Sequence, residues 1–136
     1  MVTIGFRIPQ GALDACKKQI EAKLATIVAD VATKTFNSIL HQDFPYYSGS
    51  YISSWNISVG SRDSSYNDPV WQRGVYMAPR EVKMLSVPSA YTKVYISNST
   101  PHAAMVEFDG TKTSNFQPWH IATSARNNTV LGYKLF

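Results

Sequence analysis

Residues 12–42, ALDACKKQIEAKLATIVADVATKTFNSILHQ, decide the fold of this chain. Their apolar side chains recur every three or four positions, at Leu13, Cys16, Ile20, Leu24, Ile27 and Val31. This spacing places them on one side of a helix, and the alanines between them favour a helix that a neighbouring layer approaches closely. At 1.5 Å per residue the helix is about 45 Å long. We expect its apolar side, Cys16 included, to be buried against the rest of the chain.

The composition is typical of one domain with a polar surface of low charge. The 136 residues suffice for one hydrophobic core but not for two. Only 16% of the residues are charged, which suits a surface partly covered by neighbouring subunits. The formal net charge of +4 is spread thinly, with no basic run beyond Lys17 and Lys18. We therefore do not expect sequence-specific DNA binding.

Targeting signals and cysteine chemistry are not indicated. A single cysteine excludes a disulfide framework or a cysteine-based zinc site within one chain. Residues 1–10 contain one arginine and no long apolar run, unlike a signal peptide. No stretch approaches the ~18 apolar residues of a membrane span. We expect a protein that is made in a cytoplasm, stays soluble there and has no membrane partner.

The remaining elements predict an α+β fold within a single domain, residues 1–136. Residues 2–8 alternate apolar and polar side chains, as a half-buried strand does, and Pro9 ends them. Further strands are expected at 51–60 and 90–97, and short helices at 101–108 and 118–126. The long N-terminal helix should therefore pack on a small, mainly antiparallel sheet, with one or two short C-terminal helices.

Residues 61–89 form an irregular stretch, or a ragged hairpin with strands at 70–77 and 82–87. Its aromatic and basic side chains include Trp71, Arg73, Tyr76, Arg80 and Lys83. Such residues can stack on bases and pair with phosphates, and they are also common in protein interfaces. Three acidic residues in the same stretch favour the interface. A DNA-binding module that uses this loop remains an alternative.

A search for catalytic groups finds no recognised arrangement. The three histidines, His41, His102 and His120, lie far apart in the sequence and match no metal-binding or nucleophile motif. We expect no enzyme and no cofactor. A metal site that the three histidines build with Asp43 or Asp109, as in a small metal-dependent hydrolase, remains a second alternative.

Three separated segments carry a resemblance to a known family. They are residues 44–60, FPYYSGSYISSWNISVG, residues 100–110, TPHAAMVEFDG, and residues 117–119, QPW. In order and spacing they resemble the tail-completion (head-tail joining, minor tail or neck) proteins of long-tailed double-stranded DNA phages, of the lambda Z type. The resemblance covers most of residues 12–126. The chain departs from the family pattern at Ser48, Tyr51, His102 and Asp109.

The resemblance implies a structural virion protein without catalytic residues. Its scaffold residues would be Gly49, Tyr51, Trp55, Glu107, Gly110 and Pro118, with Glu107 holding a nearby backbone or a basic partner. The protomers would form a ring, commonly a hexamer, between the tail tube protein and the head connector or stopper protein. DNA would pass through the lumen without specific binding. We expect residues 61–89 to project from the sheet and contact a neighbour or the tube.

Overall fold

The computed structural model describes residues 1–42, 49–69, 78–109 and 120–132. Its elements are α1 (Gln10–Leu40), α2 (Ser50–Ser53), β1 (Trp55–Val59), β2 (Val94–Asn98), a π-helical turn (Met105–Asp109) and α3 (Ile121–Gly132). The strands β1 and β2 form an antiparallel pair, with Trp55 opposite Asn98 and Val59 opposite Val94. The predicted α+β class, with a long N-terminal helix, is confirmed.

The long helix α1 begins two residues before its predicted start. Pro9 is extended, with φ −60° and ψ 141°, and its carbonyl accepts hydrogen bonds from the N–H groups of Ala12 and Leu13. A proline fits this position, because N–H groups at the start of a helix have no acceptor within the helix and proline has no N–H to leave unsatisfied. The helix ends at Leu40, and the backbone N–H of His41 still bonds to the last turn.

The hydrophobic core lies against the second half of α1. The buried core consists of Phe36, Ile39, Tyr51, Trp55, Val106, Ile121 and Ala125. The helices α1 and α3 pack on each other, and α1 also contacts β2. No core residue comes from the first half of α1. The second half of α1 therefore carries the packing within the protomer.

The predicted burial of the apolar side of α1 is wrong. Leu13, Cys16, Ile20 and Leu24 are exposed, and Ile27 and Val31 are half-buried. The buried side includes Ala25, Ala29, Thr33 and Phe36. At 100° per residue, it is rotated about the helix axis by more than about 100° from the predicted apolar side. Alanine and threonine let other backbone approach closely, whereas Leu13, Ile20 and Leu24 point away from the core.

An extended segment covers the small-residue side of α1. Val82 exchanges two hydrogen bonds with the Asn37 side chain, at 2.8 and 3.0 Å. The Leu85 N–H donates to the Thr33 hydroxyl (3.3 Å), and the Tyr91 hydroxyl donates to Glu21 (3.1 Å). Residues 82–91 therefore run antiparallel to the helix axis. The predicted strand at 82–87 is wrong, because side chains of α1 satisfy this backbone in place of a neighbouring strand.

Three further boundaries differ from those predicted. Residues 2–8 form no strand and are exposed, because the two-stranded sheet lies at the far end of α1. Residues 50–53 form the short helix α2, so β1 begins only at Trp55, and β2 begins at Val94, four residues later than predicted. The predicted strand at 70–77 lies outside the described residues.

The short C-terminal helices also differ in their limits. Of the predicted helix at 101–108, residues 101 and 102 form a turn, residues 103 and 104 are α-helical, and Met105–Asp109 is a π-helical turn. The helix predicted at 118–126 is α3, Ile121–Gly132, which extends six residues further. Its first predicted residue, Pro118, lies outside the described residues.

Two isoleucines of α1 test this division of the helix. Ile39 is fully buried, whereas Ile20 is 55% exposed. Ile39→Ala should lower the free energy of unfolding by about 2–5 kcal/mol, because it leaves a cavity in the core. The matched control Ile20→Ala should change it by no more than about 0.5 kcal/mol. Urea unfolding of the dilute chain, followed by circular dichroism, measures both, and equal losses would contradict the described core.

Candidate functional site

The two main segments of the resemblance meet in the core. The rings of Tyr51 and Trp55 are buried and lie 5.7 Å apart at 82°, an edge-to-face arrangement. The His102 ring, from the second segment, lies 6.1 Å from that of Tyr51. Burial, and secondarily the negative charge of Glu107, raises the pKa of the Tyr51 hydroxyl. Trp55 and the two residues that depart from the family pattern, Tyr51 and His102, thus contact each other in one ring cluster.

Gly49 and two serines fix the entry into β1. Gly49 has φ 77°, a left-handed conformation that glycine adopts without strain, and it precedes α2. The buried Ser50 hydroxyl donates to the carbonyl of Asn67 (2.5 Å), and the Asn67 N–H donates to the buried Ser54 hydroxyl (2.9 Å). Sequence reasoning missed this clamp, because serines in a serine-rich segment give no distinguishing signal.

Glu107 holds the start of α3. Glu107 is only 6% exposed. Its carboxylate accepts hydrogen bonds from the N–H groups of Ala122 (3.1 Å) and Thr123 (2.8 Å). The Thr123 hydroxyl donates to it as well (2.9 Å). The first N–H groups of a helix lack partners within the helix, and a carboxylate there also meets the positive end of its dipole. The carboxylate thus holds a nearby backbone, one of the two roles expected for it.

The proposed interface residues are only partly described. Arg80 and Lys83 are exposed, whereas Trp71, Arg73 and Tyr76 lie outside the described residues, as does the scaffold residue Gly110. Residues 61–69 are hydrogen-bonded to the body: the Ser97 hydroxyl donates to the Asp63 carbonyl at 2.7 Å. Residues 82–91 lie along α1. Both described flanks of the 61–89 stretch therefore lie against the body, and its middle, 70–77, lies outside the described residues, so the projection of the stretch stays a prediction.

The three histidines do not converge. His41 and Glu81 form an exposed hydrogen-bonded pair, His102 lies beside Tyr51, and His120 is exposed at the start of α3. Among the described residues there is no group of three or more histidine, cysteine, aspartate or glutamate side chains that could hold a metal ion. Asp43 lies outside the described residues. No described cluster supports the metal-site alternative.

The first half of α1 presents an apolar face without a partner in the described chain. The face consists of Leu13, Cys16, Ile20 and Leu24, and we call it the α1 face. At 100° per residue, Ile27 and Val31 continue the same line along the helix. Contiguous apolar surface of this kind typically marks a protein interface. The α1 face is therefore the first candidate binding surface.

A groove between α1 and β2, also lined by the π-helical turn and α3, continues this face. Its volume is about 790 Å³, and we call it the α1–β2 groove. Its walls include Ile27, Val31, Ile39, Val94, Ile96 and Phe108. The described sheet contains only β1 and β2, so no described strand pairs with the outer edge of β2. An apolar groove beside an open strand edge is a typical site for an added strand.

Comparisons with known proteins leave the family open. No model of a known protein family matches the chain, and neither a curated protein nor a solved structure shows significant similarity to it. Among the described helices, none has the length and hydropathy needed to cross a membrane.

The role of Glu107 can be tested by removing its charge. Glu107→Gln should lower the free energy of unfolding by about 1–3 kcal/mol, because the first N–H groups of α3 lose a charged acceptor. Glu81→Gln, which alters an exposed carboxylate bonded to His41, is the matched control and should have an effect below about 0.5 kcal/mol. Denaturant unfolding measures both variants, and equal effects would show that Glu107 does not anchor α3.

Proposed function

We propose that this chain is a structural virion protein of a tailed double-stranded DNA phage. It completes the tail and joins it to the head connector or stopper as a ring, in the expected case a hexamer, around the path of the DNA. Its partners are further copies of itself, the tail tube protein and the connector or stopper protein. It assembles in the host cytoplasm and remains in the tail or neck of the virion. The role uses no catalytic residue and no cofactor.

The α1 face is the observation that carries this proposal. Residues 10–24 extend about 22 Å at 1.5 Å per residue, and their large apolar side chains are exposed. Contiguous exposed apolar surface is uncommon on monomeric proteins, since it favours aggregation. A subunit of a ring buries it against the next copy. The protomer is therefore better suited to an assembly than to a solitary role.

The core and the charge distribution also support the proposal. Tyr51, Trp55 and Glu107, which the resemblance marks as scaffold, are all buried. The described basic residues of the 61–89 stretch, Arg62, Arg80 and Lys83, are exposed but do not follow one another in the sequence. A lumen that lets the duplex pass needs a modest, scattered positive charge and not a tight DNA-binding patch.

The proposal predicts a ring at one end of the tail tube. The purified chain is mixed with tubes assembled from the tube protein of the same genome, and the tubes are imaged by electron microscopy. The wild-type chain should add ring-shaped density at a tube end. Ile20→Glu should abolish this density, because it places a charge in the α1 face. The matched control Gln19→Glu, one position around the helix, should retain it.

Two results would contradict the proposal. One is the absence of wild-type chain from tube ends, and the other is undiminished binding of the Ile20→Glu variant. Circular dichroism and urea unfolding of both variants verify that each remains folded. A duplex-DNA affinity that falls steeply with salt, found together with no binding to tubes, would favour the DNA-binding module instead.

A further inference from the structure

The first eight residues form an apolar segment that nothing in the described chain covers. Met1, Val2, Ile4, Phe6 and Ile8 are each at least 64% exposed. A side chain added at Gly5 would meet no atom within 4 Å. The alternation of Val2, Ile4, Phe6 and Ile8 with polar residues and glycine is nevertheless that of a half-buried strand. The segment has the sequence of a strand but lacks a sheet in its own protomer.

The α1–β2 groove has complementary properties. Its walls are mainly apolar, and β2 offers a backbone edge that no described strand occupies. Every residue from 92 to 96 borders the groove. A groove over one face of the sheet would contact only alternate side chains of the strand, so the unbroken series indicates that the groove follows the strand edge. A strand added there would gain backbone hydrogen bonds on one side and an apolar contact with α1 on another.

The segment cannot fill the groove of its own protomer. The groove begins at Ile27, seventeen residues along α1 from Gln10, which corresponds to about 25 Å. Ile8 lies only two residues before Gln10, a reach of about 7 Å. Even a chain that folds back along α1 would bring only its first residues to the mouth of the groove. The segment that fits the groove must therefore come from another molecule.

We propose that residues 2–8 of one copy insert into the α1–β2 groove of a second copy, as a third strand on the open edge of β2. Val2, Ile4, Phe6 and Ile8 face α1 of the receiving copy, and Thr3, Gly5 and Arg7 face away. The five residues of β2 form an edge of about 17 Å. The segment has seven residues and, when extended, is therefore longer than this edge. The receiving copy thus gains a strand, and the donated segment gains a sheet.

The contact is heterologous, because the donating and receiving surfaces differ. Each copy gives its segment to the next and receives one from the copy before, and such contacts form a ring when the rotation closes. The inference deepens the proposed function and rests on it for the closure of the ring. The insertion itself requires only two copies of the chain, so it can be tested without tails.

Site-directed cross-linking tests the insertion on the full-length chain. Cys16→Ser first removes the native thiol, which is exposed. One preparation then carries Ile4→Cys and a second carries Val94→Cys, so that any bond between the two positions joins different molecules. The preparations are mixed with a short bismaleimide, and the linked peptides are identified by mass spectrometry. In the control mixture, Met84→Cys replaces Val94→Cys, because Met84 is exposed but lies outside the groove.

We expect the Ile4 and Val94 positions to cross-link at least about tenfold more than the Ile4 and Met84 positions. An excess of a peptide of residues 1–10 should suppress the product, because it occupies the groove. The same peptide with serine at positions 2, 4, 6 and 8 should not. Phe6→Asp should abolish self-association in sedimentation velocity, whereas the neighbouring control Arg7→Asp, on the opposite side of the strand, should retain it.

Equal cross-linking at the two acceptor positions, or no cross-linking at Val94, would overturn the insertion. So would insensitivity of the product to the wild-type peptide, which would indicate another occupant of the groove. A chain that binds tail tubes without the cross-link would overturn this inference alone. A cross-linked assembly that ignores tail tubes would overturn the proposed function alone.

Discussion

The structure depends on one mismatch of length: α1 is about twice as long as the part of it that the core contacts. The core touches the helix from about Ala25 onward, through small side chains on one side and Phe36 and Ile39 further on. The preceding turns, which begin at Gln10, keep an apolar face with no described partner. Short isolated helices are marginal in water, so these turns depend on the second half of α1 or on contacts with other molecules.

The body is held together by specific polar contacts around a small core. The Glu107 carboxylate anchors α3, the Asn37 side chain holds the backbone of Val82, and Ser50 and Ser54 hold the backbone of Asn67. Each contact satisfies backbone groups that lack a partner within a helix or the sheet: the first N–H groups of α3, and the backbone of Val82 and Asn67 outside the strands. A minimal sheet therefore suffices within the protomer, and its open edge and the α1–β2 groove remain accessible to a second copy.

Sequence patterns predicted which helices and strands exist better than they predicted which part of the chain, or which other molecule, packs against each of them. The helix from Gln10 to Leu40 and the pairing strands follow from local periodicity. The burial of Leu13 and Ile20 was predicted wrongly, because periodicity identifies an apolar side but not the molecule that covers it. Residues 2–8 show the same effect, since their alternation describes a strand that the protomer does not pair. The anchoring role of Glu107 came from the resemblance, whereas the clamp between Ser50 and Asn67 has no sequence signal.

Amide hydrogen exchange along α1 tests the central claim most directly. In dilute solution, where copies separate, the amides of residues 10–24 should exchange much faster than those of residues 25–40, which the core protects. At concentrations where copies associate, the first half should become protected and the second half should change little. Equal, strong protection of both halves in the dilute chain would contradict the account, since it would mean that the protomer already covers the whole helix.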